Sequence, residues 1–149
     1  MNKFRSHNCS ELNEKNIGQK VKLSGWIHRK RDHGNLLFLD IRDHFGITQC
    51  VIENDNKFFS IIEKVRPESV LKIVGKVVKR TDGTENSELK TGMIEVSINS
   101  VEILSKAKEL PLPVFGEQEY PEDIRLKYRF LDLRREEMHN NIILRSKVI

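Results

Sequence analysis

At 149 residues with 38% hydrophobic side chains, the chain can build one modest core, which excludes a disordered tail. No apolar run approaches the ~18 residues of a membrane span, and the amino terminus lacks the apolar stretch of a secretory signal. The net charge of +4 lies entirely in residues 1–106, with 18 Lys/Arg against 14 Asp/Glu, while residues 107–149 hold 8 of each. That excess alone does not establish a nucleic-acid partner, so the placement of the cations must decide.

Residues 20–32, KVKLSGWIHRKRD, are rich in β-branched and aromatic residues and predict a strand. Gly25 inside it signals a bulge or sharp bend, and Arg29, Lys30 and Arg31 crowd its end. His33-Gly34-Asn35 is turn chemistry. Residues 36–42, LLFLDIR, then alternate, with Leu37, Leu39 and Ile41 on one face and Phe38, Asp40 and Arg42 on the other. A turn at Phe45-Gly46 leads to a third strand, 47–53. Phe58, Phe59, Ile61, Ile62 and Val65 recur at helical spacing and stop at Arg66-Pro67, which predicts a short helix. Strands follow at 69–80 and 93–104, separated by the polar loop TDGTENSELKTG. In the last strand Ile94, Val96 and Ile98 share one face and Glu95, Ser97 and Asn99 the other.

Three strands, one helix and two strands in about 105 residues, without strand–helix alternation, predict a mainly β fold. The order fits a five-stranded antiparallel barrel of the OB type, whose strand 2–3 face binds oligonucleotides or oligosaccharides. Residues 1–106 are expected to form that domain. Residues 107–123 hold three of the four prolines and read as a linker. Residues 124–149 contain no glycine or proline and are expected to be helical, with Met138, Ile142, Ile143 and Ile149 forming an uncovered stripe. The expectation is a chain cut from a larger protein.

For catalysis the sequence offers little. It has no glycine-rich phosphate loop, no HExxH and no GxSxG, and His7, His28, His33, His44 and His139 are scattered without metal spacing. Cys9 and Cys50 form no CxxC and read as reduced thiols, with no disulfide and no zinc. Catalytic residues and metal ligands are therefore expected to be absent from this stretch.

Single-stranded nucleic acid is a better match, since such sites combine cations along the backbone with aromatic faces for stacking. Arg29 and Arg31 end the first strand, and Phe38 is expected on the polar face of the second, away from Leu37 and Leu39. Gln49 offers an amide donor and acceptor that suit a uracil edge, or is simply a solvated strand residue. Glu95 can accept from a cytosine amine, or is an ordinary exposed glutamate. Trp26 is expected in the core. Arg80 and Asn86 flank the loop between strands four and five, which borders OB ligand sites.

The segments LSGWIHRKRDHGNLLFLDIRDHFGITQCV, GTENSELKTGMIEV and IRLKYRFLDLRR, in that order, resemble the amino-terminal part of bacterial-type aspartyl-tRNA synthetases. The resemblance implies an anticodon-binding barrel, then a hinge, then the opening of a class II catalytic domain at 124–149. By position it implies that Phe38 stacks on an anticodon base, Gln49 reads the middle uracil and Glu95 the third base. It also places Arg31, with Arg29 nearby, at the anticodon nucleotides, and Arg80 and Asn86, from their place beside the bordering loop, are expected to bind the anticodon too. His33 and Gly83 resemble the non-discriminating type, which charges both aspartate and asparagine tRNAs. The implied parent is a cytoplasmic homodimer that uses ATP and Mg²⁺, with its catalytic residues beyond Ile149. Asparaginyl- and lysyl-tRNA synthetases share the barrel, and a free-standing OB module is the alternative outside this group.

Overall fold

The computed structural model describes residues 2–116 and 119–149 and divides into two compact units, Met1–Lys108 and Glu109–Ile149. The first contains β1 (Lys20–Asp32), β2 (Leu36–Arg42), β3 (Ile47–Glu53), α1 (Phe59–Glu63), β4 (Val70–Lys79) and β5 (Ile94–Ser105). A 3₁₀ turn at Glu14–Asn16, which no hydrophobic period announces, precedes them. The helix is shorter than its apolar spacing suggests.

The strands close into a barrel in the order β1-β2-β3-β5-β4. Antiparallel pairing was expected throughout, but β3 and β5 run parallel, with Cys50 opposite Val96 and Val51 opposite Ser97. The reason is arithmetic: a ring with an odd number of strands cannot reverse direction at every seam.

Closure depends on β1 changing partners. Its first half, Lys20 to Trp26, pairs with β4, and its second half, Trp26 to Asp32, pairs with β2. Gly25 stands at the exchange, where a Cβ would lie 2.3 Å from the Arg42 carbonyl oxygen. The bulge itself falls just after, between Ile27 and Arg29. Gly75 has the same duty on β4, where a Cβ would lie 2.3 Å from the Ser97 carbonyl oxygen beside a second register shift. Any side chain at either position pushes two strands apart, which is why glycine occupies both bends.

The alternation seen in the sequence becomes the barrel interior. Leu37, Leu39 and Ile41 of β2 and Ile94, Val96 and Ile98 of β5 are buried in one cluster with residues of the other strands. Ile62 of α1 and Val65 just beyond it join the same cluster, as do Cys9 and Leu12. Burial first, and then nearby carboxylates, push the Cys9 and Cys50 thiols well above their usual range against a weaker pull from Arg5 on Cys9, so both stay protonated. Trp26 departs from expectation. It is only half-buried and lies outside the interior, paired with Arg42 across the β1–β2 ladder. The Arg42 guanidinium sits 5.8 Å from its ring centroid. Strand parity places it there: Ile27, one residue on, takes the inward position.

The second unit holds α2 (Glu122–Lys127), α3 (Arg129–Asp132) and α4 (Glu136–Val148), where one continuous helical stretch was expected. The first break is at Tyr128, which leaves helical geometry at φ −111° and ψ 43°. Beside it Asp132, fully buried, accepts from Arg125 Nε at 3.0 Å and from the Arg129 guanidinium. Leu112, Val114 and Leu131 form a small core there, with Tyr120, Ile124 and Tyr128 against it. Glu117 and Gln118 of the expected 107–123 linker lie outside the described residues. Along α4 no residue is buried, and Ile142, Leu144, Val148 and Ile149 are exposed. No helix among the described residues is long and apolar enough to cross a membrane.

Candidate nucleic-acid interface

The outer face of β2 carries Phe38, Asp40 and Arg42, because the inner face is filled by the intervening leucines and isoleucine. Ladder pairing then fixes what surrounds them. Arg31 of β1 and Val51 of β3 stand opposite Phe38, while Arg29 and Gln49 stand opposite Asp40. Phe38 is half-buried, with the His33 ring edge-on to it at 5.3 Å between centroids and 84° between planes.

Beside Phe38 runs a row of hydrogen bonds across adjacent strands. Arg31 Nη2 donates to Asp40 Oδ1 at 2.9 Å and to Gln49 Oε1 at 3.0 Å. Gln49 Nε2 in turn donates to Glu95 Oε2 at 2.7 Å. The four side chains come from β1, β2, β3 and β5, so the row exists only because the barrel closes in that order. Asp40 and Gln49 are only 7% and 8% exposed, whereas 45% of the Arg31 side chain remains open. Gln49 is thus not a solvated strand residue, since it is buried and bonded at both ends. Burial raises the Asp40 pKa, and the nearby charges of Arg31, Arg80 and Arg29 oppose that rise.

Arg80 is placed differently from an open groove cation. It is 4% exposed, with Nε donating to the Ile94 carbonyl at 3.1 Å and Nη1 to the Thr84 carbonyl at 3.3 Å. Its Nη2 is buried with no hydrogen-bond partner among the described residues. Burial lowers its pKa, and the charges of Glu95 and Asp40 resist that shift. Arg29 is exposed.

Asn86 is occupied with its own loop. Its side-chain oxygen accepts the Glu88 N–H at 2.9 Å and its N–H meets the Gly92 carbonyl at 3.1 Å. Gly83, at φ +85°, is exposed in the same loop, and its N–H donates to Glu85 Oε2 at 2.8 Å. The structure therefore bonds Arg31, Gln49 and Glu95 together and brings His33 to Phe38, while Asn86 and Gly83 make their bonds within the loop. Asp40 is the member of the row that the sequence alone did not single out. Its signal was present: it shares the face of Phe38 and lies across from the basic end of β1.

Arranged this way, the face offers one aromatic ring, a buried amide and a carboxylate edged by cations, which is the equipment for holding an unpaired base. Residues 21–104 match the tRNA anti-codon family, described as an OB-fold nucleic acid binding domain. An aspartate–tRNA(Asp/Asn) ligase of Pelagibacter ubique is 63% identical over all 149 residues, and one of Bradyrhizobium diazoefficiens is 58% identical over the same length. The chain spans about a quarter of the length of these curated relatives, 25% of each. Among solved structures, the asparaginyl-tRNA synthetase of Pyrococcus horikoshii matches with a TM-score of 0.72 and 30% identity, over 86% of this chain and 28% of that one. The aspartyl-tRNA synthetase of Entamoeba histolytica matches with a TM-score of 0.77 at 19% identity, over 87% of this chain and 32% of that one, a likeness of fold.

Proposed function

The chain belongs to the tRNA anti-codon family of OB-fold nucleic acid binding domains, and from that premise we propose that it reads the anticodon for an aspartate–tRNA(Asp/Asn) ligase. The observation that carries this reading is the bonded row Arg31–Gln49–Glu95 lying beside the outward ring of Phe38. Phe38 supplies a stacking face for a splayed base. Gln49 keeps one lone pair and one amide hydrogen beyond its present bonds, enough to address the edge of a middle uracil. Glu95 accepts from the amine of a third-position cytosine. Arg31 and Arg29 answer the phosphates, and Arg80 and Asn86 hold the bordering loop in shape.

The aspartate and asparagine anticodons, GUC and GUU, differ at the third base alone. A small residue at Gly83 and the imidazole of His33, beside Phe38, relax the choice that Glu95 imposes, so both tRNAs are accepted. The parent enzyme activates aspartate with ATP and Mg²⁺, transfers it to the tRNA 3′ end, and works as a cytoplasmic homodimer joined through its catalytic domain. Residues 1–106 are its anticodon domain, 107–123 its hinge and 124–149 the start of its catalytic domain. Among the described residues no group of three or more His, Cys, Asp or Glu is arranged to hold a metal ion.

Binding to anticodon stem-loops carrying GUC, GUU or a scrambled triplet tests the proposal. GUC and GUU loops should bind, the scrambled loop should bind more weakly, and Gln49→Ala should narrow that difference. Equal affinity for all three triplets would point instead to an OB module without sequence choice.

A further inference from the structure

An amide has two unlike ends, and in Gln49 each end is committed to an opposite charge. Its oxygen faces the Arg31 guanidinium at 3.0 Å, and its nitrogen faces the Glu95 carboxylate at 2.7 Å. Turning the amide over would set NH₂ against a cation and oxygen against an anion, replacing two charge-assisted bonds with two repulsions. The amide is therefore held one way round.

That orientation has a consequence for any pyrimidine placed against it. The Watson–Crick edge of uracil presents an acceptor at O4 and then a donor at N3. Cytosine presents a donor at N4 and then an acceptor at N3. For a ring stacked in a single pose, an amide that pairs with uracil must be turned over to pair with cytosine. A freely turning glutamine accommodates both bases, and a fixed one accommodates one.

What fixes the oxygen end is Arg31, and nearly half of that side chain is open to solvent. Its anchor is Asp40, 7% exposed, whose Oδ1 lies 2.9 Å from the same Nη2 that bonds Gln49. Without the carboxylate, the long arginine side chain is free to leave for water, and the amide loses the partner that sets its direction. We infer that Asp40 is a specificity-determining positioning residue: it holds Arg31 on the oxygen end of Gln49, locking the amide so that the site separates uracil from cytosine. Asp40 does this without touching the base. The inference rests on the reading of Gln49 as a base-contacting residue.

The test compares stem-loops with GUC and GCC triplets on the wild-type chain, Asp40→Asn, Asp40→Glu and Arg31→Ala. The wild type should prefer the uracil loop by about 5- to 150-fold, the range of one good bidentate contact. Asp40→Asn and Arg31→Ala should each cut that preference at least about fivefold, and Asp40→Glu should restore part of it. Arg31→Ala serves as the second route should Asp40→Asn fail to fold. Side-chain amide NMR of the free protein supplies a readout independent of RNA. The Gln49 Nε2 protons should be displaced in the wild type and move towards ordinary glutamine shifts in Asp40→Asn. A folded Asp40→Asn chain with unchanged base preference and unchanged Gln49 amide shifts overturns the inference. Loss of the NMR signature in a chain that never preferred uracil overturns the anticodon reading instead.

Discussion

Two arginines on the outer face of the β1–β2 pair each meet a buried carboxylate, yet they are built for different ends. Arg42 grips both oxygens of Glu68, at 2.8 and 3.0 Å, with only 14% of its side chain exposed and 1% of its partner's. Its Nη1 lies 2.9 Å from His28 Nδ1, and the guanidinium sits over the Trp26 ring. Arg31 instead divides a single nitrogen between Asp40 and Gln49 and keeps much of its side chain in solvent. The first cluster is closed on itself and leaves little for a ligand. The second is open and incomplete, and its charges are directed at groups that can still bond something else. Burial and the sharing of donors, not residue type, separate a structural ion pair from a poised one.

The Arg42 cluster also holds a strained backbone. Glu68 sits at φ 64°, a left-handed conformation that costs a non-glycine residue on the order of 1–3 kcal/mol. The Arg42 bonds and the Glu68 N–H donated to the Ile27 carbonyl at 2.8 Å hold it there. Removing Arg42 leaves that carboxylate buried without its partner. Arg42→Ala should therefore lower stability by about 3–5 kcal/mol in urea unfolding, the cost of breaking a buried pair. Arg31→Ala should cost less, because the charges of Arg80 and Arg29 still act on Asp40, and equal losses from the two would erase the distinction.

The open cluster is sharpened by its aromatic neighbour. Phe38→Ala should weaken binding of the GUC stem-loop by about 1–3 kcal/mol, the usual worth of one stacked base, as measured by titration calorimetry. Binding that is indifferent to Phe38 would remove the poised cluster's claim on RNA.

The smallest expected effect concerns pH. Burial first, and then the charges of Arg42 and Arg29, lower the His28 pKa from 6.5 to about 4. The folded chain thus binds this proton less readily than the unfolded one. The stabilisation is complete above about pH 6.5 and is lost as pH falls from there towards 4. Melting temperatures recorded across that window should decline for the wild type and decline less for His28→Asn.

Much of this was open to reading along the chain. The strands end within a residue of their alternation patterns because a half-buried sheet writes its two faces into every second residue. Phe38 stands outward for the same reason. Trp26 went the other way, since a large aromatic is assigned to the core by its type, whereas its strand parity and the Arg42 beside it place it outside. The break at Tyr128 carries no glycine or proline to mark it, and Asp132 pairs there with arginines from either side of it.

Local pattern by itself determined the elements, the buried faces and the side chains that look out from β2, because each of those depends on neighbours one to four positions away. Only the closed barrel decided that Arg31, Asp40, Gln49 and Glu95 meet, since their spacing along the chain reaches 64 residues between the first and the last. A hydrogen bond needs atoms about 3 Å apart. No periodicity in one dimension carries that distance, and here it is set by which strands the ring makes neighbours.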